Sequence, residues 1–205
     1  MAEGSTVERA RLEVSRHAAR LFWEKGYDAT SGDAIAAAAG ISTRTVWRYF
    51  RSKEACVEPV LKVSELRFAA LLKRWPKTES IDTFLARSMT AFAADDALVR
   101  DGVAAIRILA ILHREPALRS AWLMACHAAE MELVGVVADR ASRAADDFGV
   151  RLCAASITAA MRLVDEEISS AVINDGLHVS PEDATARIIA AIRAGATLPI
   201  CDAVA

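Results

Sequence analysis

Residues 30–50 read Thr30-Ser-Gly-Asp-Ala-Ile-Ala-Ala-Ala-Ala-Gly-Ile-Ser-Thr-Arg-Thr-Val-Trp-Arg-Tyr-Phe50, and this segment carries the strongest structural signal in the chain. Thr30 or Ser31 is predicted to cap a short helix through residue 39, because small hydroxyl side chains accept the free N–H groups of a first helical turn. Gly40 opens a tight turn, since glycine adopts left-handed backbone without strain. Ser42 is predicted to cap a second short helix that ends near Phe50. The segment therefore predicts two short helices joined by a tight turn.

The second of these helices has one apolar and one basic face. Successive helical residues lie about 100° apart, so Val46 and Phe50 share a face while Arg44 and Arg48 point away from it. Four further side chains flank the basic face: Thr43, Thr45, Trp47 and Tyr49. Arginine can bond guanine edges, a threonine methyl can contact thymine, and hydroxyl or N–H groups can donate to phosphate. The pattern predicts a helix that reads the major groove of DNA.

The distribution of charge favours the same end of the chain. Residues 1–53 hold 9 Lys and Arg against 6 Asp and Glu, a net charge of +3, and the remainder holds 16 against 21, a net charge of −5. A polyanion such as DNA would be attracted to the N-terminal part only.

The rest of the sequence predicts an all-α protein. Alanine makes up about a fifth of the 205 residues, whereas glycine (9) and proline (5) are sparse, and alanine has the lowest intrinsic cost in a helix. The first helix is expected from Thr6, as its cap, to about Lys25, and the fourth from residues 52–54 to about Arg74, before Pro76. The first helix should bury Val14, Ala18, Leu21 and Phe22. Later helices are predicted at about 80–93, 97–113, 116–144, 148–174 and 181–194, giving about nine in two parts.

An ordered series of residues resembles the TetR/AcrR family of transcriptional regulators. It runs Ala-Arg-Leu-Phe22, Gly26-Tyr-Asp-Ala-Thr30, Ile35, Ala39-Gly-Ile-Ser42, and Thr45-Val-Trp-Arg-Tyr-Phe50-Arg-Ser-Lys53-Glu. The resemblance covers residues 8–68 and implies a DNA-binding domain there, with its helix-turn-helix at 31–50. It implies a ligand-binding and dimerisation domain at 69–205. The expected function is a ligand-responsive repressor that binds a palindromic operator as a homodimer.

The resemblance also implies individual DNA contacts. Thr43, Arg44, Thr45 and Arg48 match positions that face base edges, and Thr30, Trp47, Tyr49 and Lys53 match positions that hold phosphate. Two residues depart from the family pattern. Gly32 stands where an apolar residue is usual, and is expected to loosen the first turn of its helix. Trp47 replaces the usual Tyr, which keeps a donor but changes its reach.

The C-terminal part carries the expected dimer and ligand sites. The resemblance implies that the helices near 148–174 and 181–194 pair with their copies, the last through a stripe of Ala184, Ile188, Ala191 and Ile192. Large, soft side chains around a few polar groups suit an apolar ligand of modest size. The candidate ligand residues are His113, Trp122, Cys126, His127, Met131 and Met161. The fourth helix is expected to couple ligand and DNA binding.

Other functions fit the sequence less well. Asp95-Asp96-x-x-x-x-Asp101 imitates an aspartate-rich magnesium motif for diphosphates, and Glu166 beside Glu167 imitates a catalytic carboxylate pair. No second aspartate motif follows, and neighbouring helical residues point apart, so we expect no catalysis. The four cysteines lack the spacing of a metal site, and we expect no metal, cofactor or membrane segment, and a cytoplasmic location. A dimeric binding protein with a vestigial helix-turn-helix remains the alternative.

Overall fold

The structure is a computed structural model of the chain, and it describes residues 2–93 and 96–204. Within these ranges it contains nine α-helices and no strand: α1 (Ala2–Lys25), α2 (Gly32–Ala39), α3 (Thr43–Tyr49), α4 (Glu58–Leu72), α5 (Ile81–Ala93), α6 (Asp96–Ile111), α7 (Arg119–Ala141), α8 (Phe148–Ile173) and α9 (Pro181–Gly195). The prediction of an all-α protein with about nine helices is confirmed.

Hydroxyl caps set the starts of three helices. Ser31, rather than Thr30, caps α2, since its Oγ accepts a hydrogen bond from the N–H of Ala34 at 3.1 Å. Ser42 caps α3 and Ser180 caps α9 in the same way. Gly40 closes α2 with φ of 66°, the left-handed conformation that the tight turn requires.

The predicted boundaries of three helices are wrong. α1 begins at Ala2 and not at Thr6, although Gly4 lies within the added turn. The fourth helix opens with a 3₁₀ turn over Glu54–Val57, and α4 proper starts only at Glu58. Pro59 has no N–H to bond the carbonyl of Ala55, which accepts from the N–H of Glu58 instead. α7 begins at Arg119, after a 3₁₀ turn over Pro116–Leu118, and ends at Ala141, whereas the prediction was 116–144.

The helices enclose two apolar clusters. The first joins α1–α3 to α6 and α7, and it includes Val14, Ala18, Leu21, Phe22, Ile35, Val46, Phe50, Ile108 and Trp122. The second lies among α4, α5, α7, α8 and α9, and it includes Leu72, Trp75, Leu85, Leu133, Val137, Cys153, Ile157 and Ile192. All four side chains predicted to face inward from α1 are buried. The helix-turn-helix therefore rests on the C-terminal domain through a shared core.

A buried carboxylate ties the two parts together. Asp101 of α6 is only 1% exposed, and it accepts hydrogen bonds from Arg16 of α1 at 2.7 and 2.9 Å and from Arg67 of α4 at 3.2 Å. Burial alone would raise the pKa of Asp101, but the hydrogen bond and charge of Arg16 outweigh it and hold that pKa below its ordinary value. The carboxylate is thus ionised and joins three helices.

A buried arginine holds the C-terminal segment in place. Arg140 of α7 is 3% exposed, and its guanidinium lies 3.4 Å from the centre of the Trp75 ring. It donates to four backbone carbonyls, those of Pro76, Glu79, Ile200 and Asp202. These acceptors satisfy a cation that burial would otherwise make costly.

The segment that contains α7 is unusually apolar for a chain in which we expect no membrane segment. Among the described residues, Pro116–Ala141 is long and apolar enough to cross a membrane by length and composition alone. It packs against α4 and α8, however, and buries Trp122, Cys126, Leu133 and Val137. A core helix of a helical bundle passes the same test, and α7 is such a helix.

Candidate nucleic-acid interface and interior cavity

The recognition helix α3 presents its basic face to solvent. Val46 and Phe50 are buried in the first apolar cluster, while Arg44 and Arg48 are exposed. Within the described residues neither arginine has an ion pair, and Arg48 lies 5.3 Å from the centre of the Tyr49 ring. The structure therefore places both guanidinium groups where the helical wheel predicts, free to meet a ligand.

The two threonines of α3 already have partners. The Thr43 hydroxyl donates to the Asp33 carboxylate of α2 at 2.6 Å, and the Thr45 hydroxyl lies 2.9 Å from that of Ser42. The Thr43 contact joins α2 to α3 and fixes their relative position. Both hydroxyls must share or exchange these bonds to reach a base edge.

The two departures from the family pattern are coupled. The Trp47 indole lies across the first turn of α2, and a Cβ atom added to Gly32 would stand 2.2 Å from its Cζ2 atom. That distance is far inside van der Waals contact, so the indole can lie there only because residue 32 has no side chain. Trp47 nonetheless remains 45% exposed. Part of its ring therefore lies at the surface of the helix-turn-helix formed by α2 and α3, which we call the reading module. Gly32 makes room for Trp47.

The phosphate role predicted for Thr30 needs correction. Its side chain is 1% exposed, and its hydroxyl donates to the carbonyls of Gly26 at 2.8 Å and Leu21 at 3.3 Å. A hydroxyl engaged in this way serves the loop between α1 and α2 and does not reach solvent. The sequence pattern missed this because a helix cap and a loop anchor use the same residue types.

Lys53 is also committed within the protein. Its Nζ donates to the carbonyl of Tyr27 at 2.6 Å and lies 3.9 Å from the centre of that ring. The Tyr27 hydroxyl in turn donates to Glu54 at 2.9 Å, and burial and this hydrogen bond raise the pKa of Tyr27 to about 12. Lys53 thus positions the start of the fourth helical segment, and its ammonium must leave Tyr27 to reach a phosphate.

One cation near α3 was missed by the motif. Arg11 of α1 lies over the Phe50 ring at 5.3 Å, and its Nε is buried without a hydrogen-bond partner. It precedes the ordered series of matched residues, so no motif position pointed to it. Arg11 adds positive charge at the C-terminal end of the recognition helix.

A cavity lies in the C-terminal domain between α4, α5, α8 and α9. It has a volume of about 150 Å³ and is lined by Ser64, Glu65, Phe68, Met89, Met161, Asp165 and Ile188. A smaller space of about 20 Å³ shares Glu65, Phe68 and Met161 with it and extends towards Leu72, Cys126 and Leu133. The wall is mainly apolar, with two carboxylates.

Both carboxylates have perturbed acidity. Burial, and then the charge of Glu166, raises the pKa of Asp165 to about 7. Burial, and then the charge of Asp165, raises the pKa of Glu65 well above its ordinary value. In the part of the chain that the structure describes, neither carboxylate has a hydrogen bond or a cationic partner. Such groups cluster at functional sites more often than elsewhere.

The structure separates the six predicted ligand residues. Met161 lines both spaces and Cys126 lines the smaller one. Trp122 is buried but lines neither space, and its indole N–H donates to Glu166 at 2.9 Å. His113, His127 and Met131 are exposed and lie outside both spaces, so they are not cavity residues. Helical spacing alone did not reveal which face of α7 turns inward.

The residues that imitated enzyme sites have other surroundings. Asp95 lies outside the described residues, and Asp101 is engaged by two arginines. Glu166 accepts from Arg162 at 2.9 Å as well as from Trp122, whereas Glu167 pairs with Arg187. The four cysteines are buried free thiols, and burial raises the pKa of Cys56 to about 12.

An apolar face remains uncovered on α8 and α9. α8 exposes Phe148 (78%), Leu152 and Leu163 (58%), which lie on one side of the helix. Alanines 186, 190 and 194 of α9 are exposed at four-residue steps. The stripe predicted for the last helix instead faces inward, since Ala191 and Ile192 are buried and Ile188 lines the cavity.

A helix-turn-helix with exposed arginines, joined through a shared core to a larger helical domain, defines a DNA-binding protein of the transcriptional-regulator class. The profile described as "Bacterial regulatory proteins, tetR family" matches residues 16–60. The HTH-type transcriptional regulator TcmR of Streptomyces glaucescens is 31% identical over 170 residues, which cover 78% of this chain and 74% of TcmR. The chain belongs to the TetR family, and it is a DNA-binding transcriptional regulator and not an enzyme.

Solved structures have the same fold. GusR of Salmonella enterica superposes with a TM-score of 0.55 at 21% identity, covering 90% of this chain and 96% of GusR. Thermus thermophilus FadR, a TetR-family transcriptional repressor solved in complex with lauroyl-CoA, gives a TM-score of 0.51 at 17% identity and covers 90% of this chain and 92% of FadR. At these identities the likeness establishes the fold.

Proposed function

We propose that the protein is a ligand-responsive repressor that binds a palindromic operator as a homodimer and leaves it when a small molecule enters the cavity. Residues 8–68 form the DNA-binding domain and residues 69–205 the ligand-binding and dimerisation domain. The observation that carries the proposal is the exposure of Arg44 and Arg48 on α3, opposite the buried Val46. A regulator of chromosomal DNA works in the cytoplasm.

The proposed contacts divide into two groups. Arg44 and Arg48 read base edges, where an arginine fork bonds guanine, and Thr43 and Thr45 add contacts once their present bonds rearrange. Trp47 and Tyr49 hold phosphate, because an indole N–H and a phenol both donate. Thr30 and Lys53 support the module from inside.

The dimer forms through the uncovered faces of α8 and α9. Leu152 and Leu163 supply the apolar area, and the exposed alanines of α9 allow close approach of a second helix pair. A two-fold axis through such a face makes the contact self-complementary. It also places two recognition helices for the successive major grooves of a palindrome, about 34–36 Å apart.

The effector acts through α4. This helix lines the cavity with Glu65 and Phe68, and its Arg67 bonds the Asp101 carboxylate that also holds α1. The N–H of Val60, near its start, donates to the Ser15 hydroxyl of α1 at 3.0 Å. A ligand that displaces α4 therefore moves α1 and the reading module with it. FadR, with its bound lauroyl-CoA, supports the view that this fold accommodates an effector.

The proposal is tested by measuring binding to the DNA that flanks the protein's own gene. Fluorescence anisotropy across a salt series, with scrambled DNA of equal length, separates specific binding from charge attraction. Arg44→Ala is expected to weaken specific binding by about 1–3 kcal/mol. Arg20→Ala is the matched control, because it removes the same charge from α1, where Arg20 pairs with Glu24.

The alternative function is favoured if the wild type binds the flanking DNA and the scrambled DNA equally and Arg44→Ala has no effect. That alternative is a dimeric helical binding protein whose helix-turn-helix no longer reads DNA. The exposed, unpaired Arg44 and Arg48 favour the regulator.

A further inference from the structure

The cavity of the C-terminal domain contains the most unusual charges in the described part of the molecule. Glu65 of α4 and Asp165 of α8 both line it, although about 100 residues separate them in the sequence. Phe68, Met89, Met161 and Ile188 form the rest of its wall together with Ser64. Both are partly buried, and even partial burial of a carboxylate among apolar side chains without a partner costs free energy. The fold retains two of them at one place.

The neighbouring acidic residues of α8 show that the chain does supply partners elsewhere. The Glu166 carboxylate accepts hydrogen bonds from the guanidinium groups of Arg162 at 2.9 Å and Arg119 at 3.3 Å. It also accepts one from the Trp122 indole N–H at 2.9 Å. Glu167 receives Arg187 at 3.1 Å. Of the three consecutive carboxylates from 165 to 167, only the one in the cavity wall has no cation among the described residues.

The cations on α4 are directed away from the cavity. Arg67 bonds Asp101, and Lys62 is exposed to solvent. On α8, Arg162 reaches the edge of the smaller space but is paired with Glu166. No described side chain therefore pairs with Glu65 or Asp165, so each carboxyl group is left to bind either a proton or a cation from outside the protein.

The size and lining of the cavity define the remainder of the ligand. A cavity of about 150 Å³ is large enough to hold a benzene ring, and this cavity has about that volume and is open to solvent on one side, so a longer ligand can extend out of it. Phe68 offers an aromatic face, to which a cation is also attracted. Apolar walls with a few convergent polar groups are the usual lining of a small-molecule site.

We propose that the cavity binds a lipophilic organic amine in its protonated form. The ammonium lies between Glu65 and Asp165, and the apolar body of the ligand lies against Phe68, Met89 and Ile188. This inference rests on the proposed effector role of the cavity, and it adds a charged head group to the apolar effector expected from the sequence. Because Glu65 and Arg67 lie within one turn of α4, neutralising the first changes the field at the ion cluster that holds α1.

The test uses three probes that share one skeleton and differ only in their head group. 4-Phenylbutylamine is the cation, 4-phenylbutanol the neutral analogue and 4-phenylbutyrate the anion. Isothermal titration of the full-length protein at pH 8, without DNA, measures the affinity for each. The amine should bind about ten-fold or more tightly than the alcohol, because hydrogen bonds to charged groups are the stronger ones. The butyrate should bind more weakly still.

Two variants locate the effect. Glu65→Gln and Asp165→Asn should each weaken the amine about ten-fold and leave the alcohol nearly unchanged. Glu132→Gln is the matched control: its carboxylate lies on α7 and pairs with Lys73 at the surface, outside the cavity. Thermal melts of all variants check that each is folded.

The outcomes are decisive for the cavity and separate from the DNA assay. Absence of amine binding at millimolar concentration, equal binding of amine and alcohol, or an unchanged amine affinity in both cavity variants would overturn the inference. Because the titration contains no DNA, such a result leaves the operator measurement untouched. If the wild type shows no specific operator binding, the proposed function is overturned and the amine site is not.

Discussion

The recognition helix and the cavity both contain charged side chains without a partner. Those of the helix are cations in solvent, and those of the cavity are carboxyl groups in an apolar wall. Arg44 and Arg48 stand in solvent, where an unpaired charge is hydrated and costs little. Glu65 and Asp165 stand in a mainly apolar wall, where an unpaired charge is expensive. The exposed arginines do not lower the stability of the protein when no DNA is bound. The cavity carboxyl groups lower it until a cation arrives or a proton binds.

Asp101 provides the reference for this comparison. It is almost fully buried, more so than either cavity carboxylate, yet two arginines bond it. Removal of Asp101 and removal of Asp165 should therefore change stability in opposite directions. Two variants test this contrast and a third tests the recognition helix; all unfolding measurements are made at one protein concentration, because dimerisation links stability to concentration.

Asp101→Asn should give the largest effect. It leaves Arg16 and Arg67 in a part-buried site without their carboxylate, and breaking a buried pair costs about 3–5 kcal/mol. Since both arginines are partly exposed, we expect a loss of about 2–3 kcal/mol of unfolding free energy by urea titration at pH 7.

The control for Asp101→Asn is Glu13→Gln, which removes the other carboxylate paired with Arg16, at the surface. That change should stay within about 0.5 kcal/mol. The lowered pKa of Asp101 means that its stabilisation exists above its unfolded pKa and is lost as the pH falls through its folded pKa. Equal losses in the two variants would contradict the cluster's role.

Asp165→Asn should stabilise the protein at alkaline pH. The folded pKa of about 7 lies above the ordinary value near 3.8, so the folded state binds more protons than the unfolded state between pH 4 and pH 7. Stability therefore falls as the pH rises through this window. The variant lacks this fall and should exceed the wild type by about 1–2 kcal/mol at pH 8, less than full linkage because solvent can enter the cavity.

Urea titrations of the wild type and Asp165→Asn at pH 4.5 and pH 8 check this sign. The two proteins should be similar at the lower pH and diverge at the higher one. The charges that face Asp165 are Glu65 on α4 and Glu166 on its own helix, with Arg162 bound to the latter. A variant less stable than the wild type at pH 8 would mean that Asp165 has a partner after all.

Gly32→Ala should have the smallest effect and act on DNA binding more than on stability. The new Cβ displaces the exposed indole of Trp47, while the gain in helix propensity offsets the strain. We expect operator affinity to fall by about 1 kcal/mol, the scale of one phosphate hydrogen bond. The measurement is anisotropy with the same operator fragment, with the double variant Gly32→Ala/Trp47→Ala as control. If Trp47 holds phosphate, adding Gly32→Ala to Trp47→Ala should not lower the operator affinity any further.

The sequence was most informative where the structure is local. Serine caps at 31, 42 and 180 and the glycine at 40 act within one turn, so the helix boundaries around them could be predicted. The orientation of α3 followed from Val46 and the two arginines for the same reason. Errors arose where two local effects conflict. Residues 52–54 favour a helix start, but Pro59 lacks the N–H that this helix would need, and a 3₁₀ turn precedes α4.

The cavity could not be predicted because its residues meet only in the folded chain. Glu65 and Asp165 come from helices far apart in the sequence, and nothing local marks either as unpaired. On α7 the residue types pointed equally to both faces, so His127 and Met131, which are exposed, were grouped with the buried Cys126. Periodicity finds an apolar stripe, but only packing decides what the stripe faces.

The contact between Gly32 and Trp47 restricts the order in which this reading module can change during evolution. From the family's usual pattern, with an apolar residue at 32 and Tyr at 47, a route to the present arrangement needs glycine first, at the modest cost of about 1 kcal/mol for glycine in a helix. Tryptophan can pack over the first turn of α2 only when that space exists. Homologues whose Trp packs in this way should therefore carry glycine ten residues after their Phe22 equivalent. A recognition helix grafted from this protein into a relative will keep its indole over α2 only if the glycine is transferred with it.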